Sequence, residues 1–413
     1  TGPGRFTMHD LLRAYAAELT ATTDPEPDRH AALTRLFDHY LATTTAATTT
    51  LGLLSVDRRP RLLRIRQVAP APPVGDPEAA RTWLGAERAN LVAVCAHATE
   101  HGWQAHAITL ATTLFTFLAA GGRYTEILTL HGHACRAARD SDDVHSEAYL
   151  LTNLGFVHWR RGCYQNALEH HRSALNRFHQ VDDRPGRAYA LFSAGLVLWR
   201  QGEYRQAAEH LRKALDVFEQ LGDRRSQSKT WTVLGLICLR QGDDKRAAEY
   251  EHRALDLSER LGDVLCKAYA LTHLGLVHCS RGDHQRAVEC HRQSHDLARQ
   301  LGHRTAEAEA LNGLGEALRA SGQAVMAGAR HADALALAEQ VGERYEQARA
   351  HRGIAVTRHT MGDLERARRH WENALHLYTS LGVPEATAVH AQLTALAHET
   401  VTPGTPEKKE RPT

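Results

Sequence analysis

Several chemistries are missing from this chain before any fold is considered. It has no Cys-x-x-Cys pair, and its seven cysteines (Cys95, Cys135, Cys163, Cys238, Cys266, Cys279, Cys290) are odd in number and scattered. That argues against a disulfide framework and for reduced thiols in a cytoplasmic setting. No apolar run reaches the roughly 18 residues of a membrane-crossing helix, and no signal peptide opens the chain, so neither a membrane partner nor export is expected. A net charge of only +2 offers no concentrated basic face for phosphate, so direct nucleic-acid binding is not expected. There is no Gly-x-x-x-x-Gly-Lys-[Ser/Thr] and no Gly-Lys dipeptide at all, which removes the commonest phosphate cradle. No serine or cysteine has a motif-level base partner and no acid pair sits on a rigid loop, so no catalytic residue is assigned and an enzyme is not expected.

What is present is a repeat. At an offset of 40, a small residue recurs at Gly155, Gly195, Gly235, Gly275, Gly315 and Ala355. A glycine follows at Gly162, Gly202, Gly242, Gly282, Gly322 and Gly362, then alanine at Ala167, Ala207, Ala247, Ala287, Ala327 and Ala367. The unit closes on an apolar residue plus glycine at Leu221-Gly222, Leu261-Gly262, Leu301-Gly302, Val341-Gly342 and Leu381-Gly382, with Val181-Asp182 in the first repeat. Apolar residues between the glycines return at three and four, the helical period, so each repeat holds two helices with a glycine at each stop. Small residues in the 155 and 167 series let those two helices approach closely. A period in this range implies stacked neighbours.

The unit resembles the tetratricopeptide repeat, whose leucine-glycine, aromatic and alanine signature is matched by Leu154-Gly155, Tyr164, Ala167 and Ala174-Leu175. The period departs from the usual length of about 34. It is similar to the longer-helix variety of signalling proteins, bacterial peptide sensors and STAND regulators. The resemblance implies an all-α fold, a right-handed superhelical solenoid of about seven antiparallel helix pairs.

The opening residues carry a second resemblance. Met8-His9-Asp10 resembles the Met-His-Asp motif that ends the winged-helix part of NB-ARC nucleotide switches. In that family the histidine, here His9, reaches the β-phosphate of bound ADP. The run Met8 to Ala16, followed by a repeat array, resembles actinobacterial transcriptional regulators of the antibiotic-regulatory (SARP) type, which join a DNA-binding winged helix, an NB-ARC switch and a tetratricopeptide tail. The resemblance implies that 1–22 is the remnant of a longer protein. ADP or ATP would bind only in an NB-ARC domain that this sequence does not contain, DNA would be met through another domain, and no cofactor is expected in this chain. Here His9 and Asp10 are expected to cap and orient a helix, Asp10 capping an apolar face of Leu11, Leu12, Tyr15 and Leu19.

Residues 23–102 are expected as a helical entry region. Leu33, Leu36, Phe37, Tyr40 and Leu41 share one helix face there, and a proline-rich irregular stretch carries Arg58, Arg59, Arg61, Arg64 and Arg66. The array is expected over 103–382, because stepping back one period gives Gly122, Tyr124 and Ala134, with Phe115 in the small-residue place. A capping helix over 383–400 and a disordered tail over 401–413 complete the chain.

First helices of stacked pairs line the concave face. Their inward stripe is expected to hold Tyr149, Phe156, Trp159 and Arg160, then Tyr189, Phe192, Trp199 and Arg200, then Arg240, turning polar later at Glu309, Asn312, Glu316 and Arg319 and at Arg349, Arg352 and His359. Trp, Tyr and Arg most often carry interface energy. The same aromatics also fit packing between adjacent first helices, because one slip of helical phase exchanges groove for interior. An acidic or C-terminal carboxylate partner suits the arginines through bidentate pairing. The histidines His170, His210 and His291 recur near one repeat position, which favours a packing consensus over a metal site, and no metal is expected. The function expected is recognition of a protein or peptide in the groove, controlling a regulator. The alternative is an assembly or dimerisation scaffold without a small effector, and the oligomeric state is left open.

Overall fold

Helix follows helix from Asp10 to Val401, with no strand among the described residues, which in this computed structural model are 8–53 and 74–401. Arg5 to Thr7, the arginine-bearing stretch from Arg58 to Arg66, and the tail beyond Val401 lie outside the described residues. The chain divides into two compact units: Thr1–Thr116 with Thr129–Asp143, and Phe117–Leu128 with Val144–Thr413.

The first unit contains α1 (Asp10–Thr23), α2 (Glu26–Thr50), α3 (Pro77–Glu100), most of α4 (Gln104–Ala120) and the greater part of α5 (Tyr124–Asp140). Its packing centres on Trp103. The ring of Phe37 meets Trp103 edge-on at 5.2 Å, His30 stacks on it at 4.3 Å, and its indole N–H donates to Thr34 Oγ1 at 2.9 Å. Two expectations are corrected here. The cap of α1 is His9, whose Nδ1 accepts from the Leu11 N–H at 3.3 Å, while Asp10 is already helical and pairs with Arg13 at 2.7 Å. The expected α1 face is exposed, as is Leu36 on α2.

The second unit is the array. Its first helices are α6 (Val144–Arg160), α8 (Arg184–Arg200), α10 (Arg224–Arg240), α12 (Val264–Ser280), α14 (Arg304–Ala320) and α16 (Arg344–Thr360). Their antiparallel partners are α7 (Tyr164–Gln180), α9 (Tyr204–Leu221), α11 (Asp244–Leu261), α13 (His284–Leu301), α15 (Ala324–Val341) and α17 (Leu364–Leu381), and α18 (Glu385–Val401) follows. Starts and stops are written locally. Asp183, Asp223 and Asp263 each accept a backbone N–H three residues on, filling donors that a helix start leaves orphaned. At the stops the chain turns left-handed, as at Gly262 (φ 63°); where the first repeat has Asp182 instead, that residue takes the same turn at φ 48°.

The small-residue series explains the close packing. One position on the second helix of a repeat, occupied by His171, Leu211, Glu251, His291 and His331, points at the 155-series glycine of its own first helix, and in the last repeat Trp371 shares a core cluster with Ala355. A Cβ at Gly275 would lie 2.6 Å from His291 Nε2, and one at Gly313 on the next first helix would overlap the same ring. His331 is held likewise between Gly315 and Gly353. Ala167, Ala207, Ala247, Ala287, Ala327 and Ala367 are fully buried.

The array then meets itself. Val341 fills the space where a side chain on Gly122 would stand, Leu381 does so at Gly162, and Pro384 abuts Gly202. Val341 and Leu381 are 4% exposed, whereas Leu221, Leu261 and Leu301 at the same repeat position are 52%, 42% and 40% exposed. The hydrogen bond between Tyr124 and Glu343 spans 219 residues of sequence, so with a 40-residue period one turn takes about five and a half repeats.

Candidate functional site

Arg160, Arg200 and Arg240 are the last residues of α6, α8 and α10; the next three first helices end in Ser280, Ala320 and Thr360. The ladder therefore stops after three rungs, and the rungs reach across the turn to the last repeats. Arg160 Nε lies 2.5 Å from Glu343 Oε1, with the two side chains 9% and 5% exposed. Tyr124 donates its hydroxyl to the same oxygen at 2.5 Å. Burial works against the Arg160 charge, yet the adjacent Glu343 carboxylate holds its pKa well above the usual arginine value. Burial pushes Glu343 upward against the pull of Arg160. Arg240 donates to Glu385 Oε1 at 2.7 Å, and the Tyr345 hydroxyl donates to the same oxygen at 2.8 Å. Arg200 lies between two rings, its guanidinium carbon 4.3 Å from the Trp199 centroid and 3.7 Å from that of Tyr345. The guanidinium faces aromatic clouds that favour a cation.

Each of the three arginines thus already has an intrachain neighbour. Trp199, Arg200, Tyr204, Arg240, Tyr345 and Glu385 line a narrow, closely filled cleft. Trp159 lies under Arg160, 5.0 Å from ring to guanidinium, and touches Phe156 at 5.5 Å between centroids. Tyr149, Tyr189 and Phe192 are buried. The ring of Tyr149 meets Phe178 edge-on at 4.9 Å and that of Tyr189 lies 5.1 Å from Phe218, each on the second helix of its own repeat. The Tyr189 hydroxyl donates to Asp223 Oδ2 at 2.5 Å, bracing the residue that caps α10. Both rings thus pack within their own repeat, and Tyr189 also ties it to the next.

The polar half of the stripe is paired internally. Arg349 grips Glu316 with two hydrogen bonds of 2.9 and 2.7 Å, and Arg352 adds a third at 3.0 Å. Although burial raises its pKa, those guanidinium groups hold Glu316 far below the usual carboxylate range. Asn312 donates to Glu346 Oε2 at 3.0 Å and approaches His331 Nδ1 at 3.1 Å. His273 stands between Glu251 at 3.6 Å and Glu309 at 3.5 Å. Burial opposes its charge, but the two carboxylates raise it to about 9, while burial lifts Glu251 to about 7.

The histidines separate into core and surface. Burial pushes His171 and His291 down to about 3 and His331 to about 4. His170 stacks on His158 at 5.1 Å, and His295 lies beside Asp296 at 3.1 Å. Among the described residues no three His, Cys, Asp or Glu gather as a metal-holding group, and no helix is long and apolar enough to cross a membrane.

Glu343, Tyr345 and Glu385 were missed by the stripe argument because they stand at helix starts, outside the periodic core pattern. One signal was available. The capping series reads Asp183, Asp223, Asp263, His303, Glu343, and glutamate is a poor substitute for aspartate in a cap. The Glu343 side chain makes no capping bond and serves Arg160 and Tyr124 instead.

A family profile described as tetratricopeptide repeat matches residues 146–220, 195–260, 225–300 and 263–340. Residues 146–340 are tetratricopeptide repeats. Regulatory protein AfsR of Streptomyces griseus is 30% identical over 170 residues, which is 40% of this chain and 17% of that protein's own length. A Rap protein solved with competence and sporulation factor superposes with a TM-score of 0.55 at 11% identity, covering 79% of this chain and 93% of that one. NprR in complex with its cognate peptide NprX gives 0.51 at 11% identity, over 73% and 85%. At such identities the likeness concerns the fold, an all-α tetratricopeptide superhelix.

Proposed function

We propose that the tetratricopeptide array is the regulatory, partner-binding module of a longer transcriptional regulator in the cytoplasm, and that it takes a protein or peptide segment on its concave face. The observation that carries this is the ladder of Arg160, Arg200 and Arg240 beside Trp159 and Trp199, held by intrachain groups of the kinds a partner would supply: carboxylates and a tyrosine ring. The Rap neighbour complexed with competence and sporulation factor, the NprR neighbour with its cognate peptide NprX and the AfsR relative support the reading. His9, exposed at the start of α1, is the residue that would meet nucleotide in an NB-ARC domain of the parent protein. Binding regulates only through unequal affinity for two states of that switch. For the array, the closed turn is one such state, and a turn released at Arg240 is the other.

The test is retention of a partner from the source cytosol by the full chain beside an Arg200→Glu/Arg240→Glu variant shown by circular dichroism to stay helical. Retention by the first and loss by the second is the expected result. Equal retention by both moves the site off the concave face. A mass that grows with concentration, with no partner retained by either, would instead favour an assembly scaffold.

A further inference from the structure

The cleft between α8, α10, α16 and the start of α18 is unfinished in its hydrogen bonding. Arg160 and Arg240 have carboxylate partners. Arg200 makes no direct hydrogen bond or ion pair; beside its two ring contacts, Tyr345, Tyr164 and the carboxylates of Glu346 and Glu309 hold its charge against burial from a distance. Beside it the Trp199 Nε1–H, buried with its ring 9% exposed, has no acceptor. Across the cleft Glu385 uses one oxygen for both Arg240 and Tyr345, while its other oxygen is buried without a hydrogen bond, the side chain being 10% exposed. Two donor groups and one acceptor atom thus go unused among the residues that line one cleft.

We propose, resting on the partner-binding reading above, that this cleft is a carboxylate site. The chain's own Glu385 occupies its Arg240–Tyr345 half and keeps the turn closed. The partner enters with a carboxylate that displaces Glu385 and reaches Arg200 and the Trp199 N–H as well. The chemistry follows from the donors. A guanidinium presents a planar fork that matches a carboxylate with two parallel bonds, it keeps its charge when buried, and the Trp199 N–H is a further unused donor among the residues that line the cleft. Glu385 is tethered by Pro384 against Gly202 and by its place as the first residue of α18. It therefore bonds Arg240 and leaves Arg200 without a direct carboxylate bond. A free carboxylate has no such tether. Its source is an acidic side chain or the C-terminus of a peptide.

The experiment uses the full chain with Glu385→Ala, which empties the site, and follows the indole N–H resonance of Trp199, assigned among the six tryptophans by Trp199→Phe. The probes are N-acetylglutamate amide for a side chain, N-acetylalanine for a C-terminus, and N-acetylglutamine amide as the uncharged match, all at constant ionic strength. At least one carboxylate probe is expected to shift the resonance saturably, at least tenfold more tightly in Glu385→Ala than in the unaltered chain. N-acetylglutamine amide should give no saturable shift, and adding Arg200→Gln should weaken the response at least tenfold. Which carboxylate binds more tightly identifies the source. Equal response to the glutamate and glutamine probes, indifference to Arg200→Gln, or no response at all would overturn the proposal. If Glu385→Ala disturbs the other five indole signals, Glu385→Gln, which keeps the side-chain volume, takes its place under the same criteria. Failure here together with loss of the partner in Arg200→Glu/Arg240→Glu would leave the concave-face reading standing and remove only the carboxylate.

Discussion

The array holds two populations of arginine–carboxylate pairs that look alike in sequence and differ in consequence. On the outer helix α17, Arg368 lies 3.7 Å from Glu372 with both side chains more than half exposed, and on α9 Arg205 lies 3.7 Å from Glu209. Such pairs contribute about 0–1 kcal/mol. On the inner side, Arg160–Glu343 and Arg349–Glu316 are withdrawn from water and joined by further hydrogen bonds from Tyr124 and Arg352. Desolvation can cancel the attraction within such a pair, yet removing one partner strands the other charge. The outer pairs decorate helices. Of the inner ones, Arg349–Glu316 ties neighbouring first helices and Arg160–Glu343 joins helices a full turn apart.

The sharpest way to separate the two sides is pH. His171, His291 and His331 have folded pKa values of about 3 to 4, against 6.5 for an ordinary histidine. Below pH 6.5 the unfolded chain takes up protons that the folded array refuses. Stability is therefore full above 6.5 and falls as pH drops towards 4, by about 1.4 kcal/mol per pH unit for each histidine. Urea midpoints at pH 7 and pH 5 should show it. A variant with leucine at all three positions, as Leu211 already stands at the equivalent place, should lose the share those three carry and keep that of His303 and His351, which burial also pushes down to about 4.

Next in size, Arg160→Ala should cost about 3–5 kcal/mol in urea unfolding, because Glu343 is left buried and unpaired. Pairing it with Glu343→Leu should return most of the loss; if the double variant is as weak as the single, the stranded-charge argument is wrong. Gly313→Ala should cost about 1–3 kcal/mol by overpacking against His291. By contrast Gly85→Ala, where an added Cβ meets open space within α3, should raise stability by about 0.5–1 kcal/mol. Smallest of all, Arg368→Ala should move the urea midpoint by less than about 0.5 kcal/mol in stability terms. A loss of several kcal/mol there would erase the distinction between inner and outer pairs.

The repeat was legible because it is written in residues whose role is steric. Glycine and alanine at fixed spacing mark close approaches, and aspartate before a helix start marks a cap, whatever lies elsewhere in the chain. The ends of the first helices, and so the arginine ladder, follow from the same spacing. Its partners do not, because Glu343 and Glu385 meet it across a turn whose pitch no local pattern encodes. The aromatics were placed on the right helices, but their phase was open: Trp199 joined the cleft, and Tyr149 and Tyr189 turned to the neighbouring second helices. His9 in place of Asp10 as the cap is a shift of one residue, the scale on which helix boundaries escape periodicity.

The seating of Val341 on Gly122 makes the array a screw thread with a minimum working length. A thread that turns once in about five and a half repeats holds only where a second turn lies on the first. Here the overlap is short: Val341 on Gly122, Leu381 on Gly162 and Pro384 on Gly202. Deleting one 40-residue repeat from the middle would unscrew one of those seats. Duplicating one would offer another apolar end to Gly242, where the space stands open. In most stacked arrays length sets how much surface is displayed; in this one it also sets how firmly the thread grips.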